Sequence, residues 1–83
     1  MNRNYFQPKA GQIYLNRNGT NYFCLEEKSA CSALFISMGS GWTLLAHECS
    51  LNDDGTIDWN RSDGRGFKNL KETIKEYMQN NSN

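Results

Sequence analysis

The chain has no valine, one proline and one histidine among its 83 residues. Strand interiors must therefore be built from isoleucine, leucine and aromatics, and ten aromatics (two Trp, four Tyr, four Phe) supply that volume. Net charge is also lacking, since nine basic side chains cancel nine acidic ones. This balance excludes a nucleic-acid binder driven by bulk positive charge and an acidic mimic of DNA. No apolar run approaches the ~18 residues of a membrane span. The opening Met1-Asn2-Arg3-Asn4-Tyr5-Phe6 lacks the apolar stretch of a signal peptide. A cytoplasmic protein away from membranes is expected. Cys24, Cys31 and Cys49 are an odd set that cannot close a complete disulfide framework, so free thiols in a reducing compartment are expected. The length accommodates one domain, 1–83. Asparagine-rich ends suggest fraying over 1–8 and 80–83.

What is present reads first as sheet, over about residues 12–60. Ile13-Tyr14-Leu15 runs into Asn16-Arg17-Asn18-Gly19, and Asn-Gly favours a hairpin because both residues tolerate positive φ. The partner strand is Asn21–Glu26. Ser32–Met38 is apolar on both faces, as in a central strand. Gly39-Ser40-Gly41 interrupts, Trp42–Cys49 resumes, and Asn52-Asp53-Asp54-Gly55 turns into Thr56–Trp59. Asn60–Gly66 reads as a loop because of its glycines and polar residues. Beyond it, Phe67, Leu70, Ile74, Tyr77 and Met78 fall on one side of a helical wheel, which predicts an amphipathic helix over 68–79. The expected fold is α+β, mainly β. It is an antiparallel meander or SH3-like barrel of four to five strands with one C-terminal helix. A flat sheet carrying the helix on one face is the alternative.

Motifs for chemistry are few. Ser50–Asp58 resembles a calcium loop, with oxygen donors at alternate positions and Gly55 at the sixth. The closing twelfth position is Arg61, a cation where a bidentate carboxylate is needed, so a solvated Asp-Gly turn is the better reading. Cys24, Cys31, His47 and Cys49 are the right atom types for zinc, yet no Cys-x2–4-Cys pair exists, and buried thiols are expected instead. Glu48 adjoins His47 but points to the opposite strand face, so no Cys- or Ser-His-carboxylate set is apparent. A non-enzyme without cofactor, metal or catalytic residues is expected.

Charge is segregated although it sums to zero. Residues 46–63 carry Glu48, Asp53, Asp54, Asp58 and Asp63 against Arg61, while the two flanking segments are each net positive. Asp53, Asp54 and Asp58, with Arg61 and Arg65 of the neighbouring loop, form the candidate partner-binding surface, since loops on a rigid scaffold commonly carry contacts. Lys68, Lys71 and Lys75 form a basic strip on the helix. With an exposed Tyr14, Tyr22 or Trp42, and with Tyr22 the candidate singled out, the strip would suit single-stranded nucleic acid, the alternative class of function. Trp42 and Trp59 are core fillers, or anchors for a protein partner if exposed. An unpaired sheet edge also leaves homodimerisation open.

Lys9-Ala10-Gly11-Gln12-Ile13-Tyr14 and Asn18-Gly19-Thr20-Asn21-Tyr22-Phe23-Cys24-Leu25 carry a Gly-x-x-Tyr strand through Asn-Gly into a Tyr-x-Cys-Leu strand. Gly41–His47, Asp54–Trp59 and Gly64-Arg65-Gly66-Phe67 continue the pattern. Over roughly residues 9–67 the chain resembles small uncharacterised phage and prophage proteins. The resemblance implies a stoichiometric binder that blocks or redirects a larger host or phage protein, inhibitors of host defence such as anti-CRISPR proteins included. It implies no site residues. A non-enzymatic protein-binding module of phage or mobile-element type is the expectation.

Overall fold

In a computed structural model, residues 4–81 are described, with the side chains of Arg65 and Asn81 outside that description. The elements are β1 (Ile13–Leu15), β2 (Asn21–Glu27), β3 (Ala33–Ser37), β4 (Trp42–His47), β5 (Ser50–Leu51), β6 (Ile57–Asp58), β7 (Arg61–Phe67) and α1 (Leu70–Asn81). Five strands form one antiparallel sheet in the order β1-β2-β3-β4-β7, and β5 and β6 form a separate pair. The fold is mainly β with one C-terminal helix, as expected.

The expected barrel does not close. The sheet ends at β1 and β7, which pair only with β2 and β4 among the described residues. The reason lies at Glu48, whose φ of 56° breaks the strand after His47. The chain turns there, and β5–β6 becomes an arm laid across one face of the sheet instead of a further strand. The arm meets the chain just past β1 through the isolated Asn16–Ile57 bridge. It also fixes the N-terminal segment: Tyr5 bridges Ser50, Phe6 N–H donates to Cys49 O (3.1 Å), and Pro8 is fully buried. Residues 4–8, part of the segment expected to fray, thus make bridge and backbone contacts with the arm, while residues 1–3 lie outside the described residues.

The expected loop at 60–66 is also corrected, because Arg61–Phe67 is an edge strand. The register pairs Thr43 with Gly66 and Leu45 with Asp63, so Gly64 and Arg65 together oppose Leu44. Gly64, at φ 64°, supplies the left-handed residue that such a bulge requires. What looked like breakers are the means by which a strand bends along β4.

Each sheet face has its own cover. Under the arm, Phe35 is fully buried, with Trp59 stacked on it (centroids 5.6 Å apart) and Tyr14 and Tyr22 edge-on at 6.0 and 6.1 Å. Cys24, Ala33, Leu44, Ala46, Cys49 and Ile57 complete the buried cluster, with Phe6 packed against it. Across the sheet, Tyr77 of α1 meets Phe23 edge-on at 5.2 Å. The helix begins two residues later than its apolar periodicity suggests. Asn69 Oδ1 accepts from Glu72 N–H (3.0 Å) and so caps the first turn at Leu70.

Candidate functional site

The acidic residues singled out in the sequence are largely occupied in holding the arm together. Asp54 Oδ1 accepts from the N–H and the hydroxyl of Thr56 (3.0 and 2.6 Å), and these bonds hold its carboxyl below the usual carboxylate range. Asp58 Oδ2 meets the Arg17 guanidinium at 3.0 Å and accepts from Asn52 Nδ2 at 3.0 Å. Asp53 is exposed at the tip of the arm. Arg61 lies past its root, where Nη1 is 3.6 Å from Asp63 Oδ2. Arg65 belongs to β7, and its side chain is outside the described residues. Asp53, Asp54 and Asp58 thus belong to the β5–β6 arm, whereas Arg61 and Arg65 belong to β7 of the main sheet.

Of the aromatics that could stack bases in the nucleic-acid alternative, Tyr22 is buried with its ring edge-on to Trp59 at 5.2 Å, Tyr14 is partly buried, and Trp42 is exposed. Lys68, Lys71 and Lys75 are exposed as expected. The zinc set does not assemble, and no group of three or more His, Cys, Asp or Glu able to hold a metal occurs among the described residues. Cys24 and Cys49 are buried free thiols, raised to about 11 and about 12, chiefly by desolvation. His47 is engaged elsewhere: Nδ1 lies 3.3 Å from Ser32 Oγ and Nε2 lies 2.8 Å from Asp63 Oδ2.

That Ser32-His47-Asp63 chain was missed in the sequence, since Asp63 comes within reach of His47 only through the β4–β7 register. It has the residue types of a catalytic triad. Ser32, however, is only 4 % exposed, too enclosed for an external substrate to reach Oγ. The chain serves as a clasp between the end of β4, the start of β7 and the turn before β3.

The feature most available to a partner is aromatic. Trp42 and Phe67 stand opposite each other on β4 and β7, 50 % and 63 % exposed, with ring centroids 5.5 Å apart and planes at 77°. Beside Trp42 lies a depression of about 340 Å³ lined by Thr20, Tyr22, Ser37, Ser40 and Leu44, with no charged side chain. The backbone around it is fixed. Ser37 Oγ accepts from Gly39 and Ser40 N–H (3.3 Å each), Gly41 N–H donates to Ser37 O (2.9 Å), and Lys68 N–H donates to Gly41 O (3.0 Å). In the sequence Phe67 marks only the first residue of the helical stripe, and with 60–66 reading as a loop nothing places it beside Trp42.

No family model, curated protein or solved structure matches the chain. No helix among the described residues is long and apolar enough to cross a membrane.

Proposed function

We propose that this protein is a non-enzymatic protein-binding module that docks on a larger protein through Trp42 and Phe67. The observation that carries the reading is the exposed aromatic pair itself, seated on rigid sheet beside an uncharged depression. Large aromatics held rigidly lose little conformational freedom on binding, and truncating such anchors commonly costs 2 kcal/mol or more. The arm carries the exposed negative charge of Asp53, which favours encounter with a basic partner more than it favours affinity.

The resemblance to small phage and prophage proteins makes a host or phage protein in the host cytoplasm the proposed partner. An inhibitor of host defence, of anti-CRISPR type, is the specific form of the proposal. Single-stranded nucleic acid is the alternative reading, with the exposed Trp42 for stacking and Lys68, Lys71 and Lys75 for phosphates.

The test is capture of a partner from nuclease-treated host lysate, followed by affinity measurement. Trp42→Ala or Phe67→Ala is expected to weaken binding roughly 30-fold or more, with the fold retained by circular dichroism. Asp53→Lys is expected mainly to slow association. Unchanged binding by both aromatic variants refutes the site, and recovery abolished by nuclease transfers the function to nucleic acid.

A further inference from the structure

The three cysteines lie on separate elements, yet two of them are joined through the backbone. Cys31, half-buried, occupies the turn between β2 and β3. Cys49, fully buried, begins the arm. Cys49 N–H donates to Cys31 O at 2.8 Å. The reach of a single N–H···O bond between two backbones keeps these Cα atoms on the order of 5–6 Å apart, inside the roughly 4.4–6.8 Å window a disulfide requires. Both sites are held in unusual backbone: Cys31 itself has φ 59°, and Glu48, just before Cys49, has φ 56°. Gln7 steadies the turn, its Oε1 accepting from Cys31 N–H and its Nε2 donating to Ser32 O, each at 2.9 Å. Cys24 is turned away, its thiol directed at Glu26 O (3.8 Å).

We infer that Cys31 and Cys49 form a reversible intramolecular disulfide, by exchange with a low-molecular-weight disulfide, that locks the β2–β3 turn to the root of the arm. Cys31 is the entry thiol because it alone of the three is not fully buried. Its thiolate attacks the external disulfide RS–SR, giving Cys31–S–S–R and expelling RS⁻. Cys49 then releases its proton to solvent, and its thiolate attacks the Cys31 sulfur and expels the second RS⁻. The two protein thiols lose two electrons and two protons, and RS–SR is reduced to two RSH. The second step is slow, because burial and the neighbouring Cys31 and Cys24 push the Cys49 thiol up to about 12. It proceeds when the root of the arm opens.

The oxidised form fixes the surface that covers Phe35 and leaves Trp42 and Phe67 untouched. The inference is therefore independent of the docking site. The test incubates the full chain in oxidised and reduced glutathione at graded ratios. It is then acid-quenched, alkylated with N-ethylmaleimide, and read by intact mass and peptide mapping. The expected product is two hydrogens lighter, linked Cys31–Cys49, with Cys24 alkylated and a Tm raised by on the order of 10 °C or more, as a closed loop of this length implies. Cys24→Ser is expected to form the bond as the wild type does. Cys31→Ser, a near-isosteric change at a half-buried position, is expected to remain reduced and folded. A glutathione adduct on Cys31 that proceeds no further, a bond to Cys24, or disulfide-linked dimers would each overturn the inference.

Discussion

Gly41 is where the aromatic patch, the sheet and the helix entry meet, and replacing it with alanine tests all three at once. Its φ is 83°, and a Cβ there would lie 2.6 Å from the backbone oxygen of Lys68 and 3.2 Å from the Phe67 ring. The conformation alone costs an L-residue about 1–2 kcal/mol. The contact with Lys68 O cannot be relieved by rotating a side chain. It must move backbone that is itself held by the Lys68 N–H to Gly41 O bond at 3.0 Å. Overpacking of this kind adds about 1–3 kcal/mol. The sum, about 2–5 kcal/mol, is a large part of a small domain's stability and corresponds to a Tm fall of roughly 10–30 °C. Gly55→Ala and Gly19→Ala are the controls, because their φ values are 89° and 92° but nothing lies within 4 Å of the added carbon. Each should show only the conformational term. Urea titration at low temperature, followed by far-ultraviolet circular dichroism and tryptophan fluorescence, measures the three variants against the wild type. If Gly41→Ala is no less stable than Gly55→Ala, the close approach to Lys68 is wrong, and with it the placement of Phe67 beside Trp42.

Two further outcomes follow from the titrating groups. Cys24 and Cys49 have folded values of about 11 and about 12 against an ordinary 9.0. Their contribution is therefore complete below pH 9 and is lost as pH rises through the folded values. The protein should destabilise across this alkaline range, and near neutral pH a thiol reagent should modify Cys31 quickly and the other two only at the rate of opening. Three equally fast thiols in the folded protein would contradict the burial of Cys24 and Cys49. Asp54 is shifted the other way, so its contribution is present above the usual carboxylate range and disappears as pH falls through the lowered folded value. Asp54→Asn should thus lower Tm near neutrality and converge with the wild type in strong acid; a constant Tm difference at all pH values would show that the Thr56 bonds do not depend on the charge.

Local patterns told most about local structure. Asn18-Gly19, the alternation in Asn21–Glu26 and the apolar run before Gly39 specified β1, β2 and β3, because each depends on a nearby turn or a two-residue period. The spacing of Leu70, Ile74 and Tyr77 likewise specified the helix, and Asn69 then set where it starts. What could not be read depends on departures from period. Glutamate has no preference that announces a positive φ, so the bend at Glu48 is silent in the sequence, and with it the arm that replaces barrel closure. Gly64 and Gly66 carry the ordinary signature of a loop, and only pairing with β4 turns Gly64 into a bulge.

The candidate site shifted for the same reason, and the two tryptophans show how. As residues they are equivalent, but Trp59 follows the bend, so the arm carries it onto Phe35, whereas Trp42 opens β4 at an end of the sheet that the arm does not cover. A lone exposed apolar side chain requires no explanation, because much of any protein surface is apolar. A Trp and a Phe in mutual contact on neighbouring strands, both at least half in solvent, are different. The strands at that point need only a cross-strand pair, and threonines would satisfy the sheet as well without exposing rings to water. In a domain whose core must be filled from ten aromatics, leaving two of the bulkiest outside adds little to folding. Their position is what the proposed docking role requires, with a partner supplying the other half of the contact.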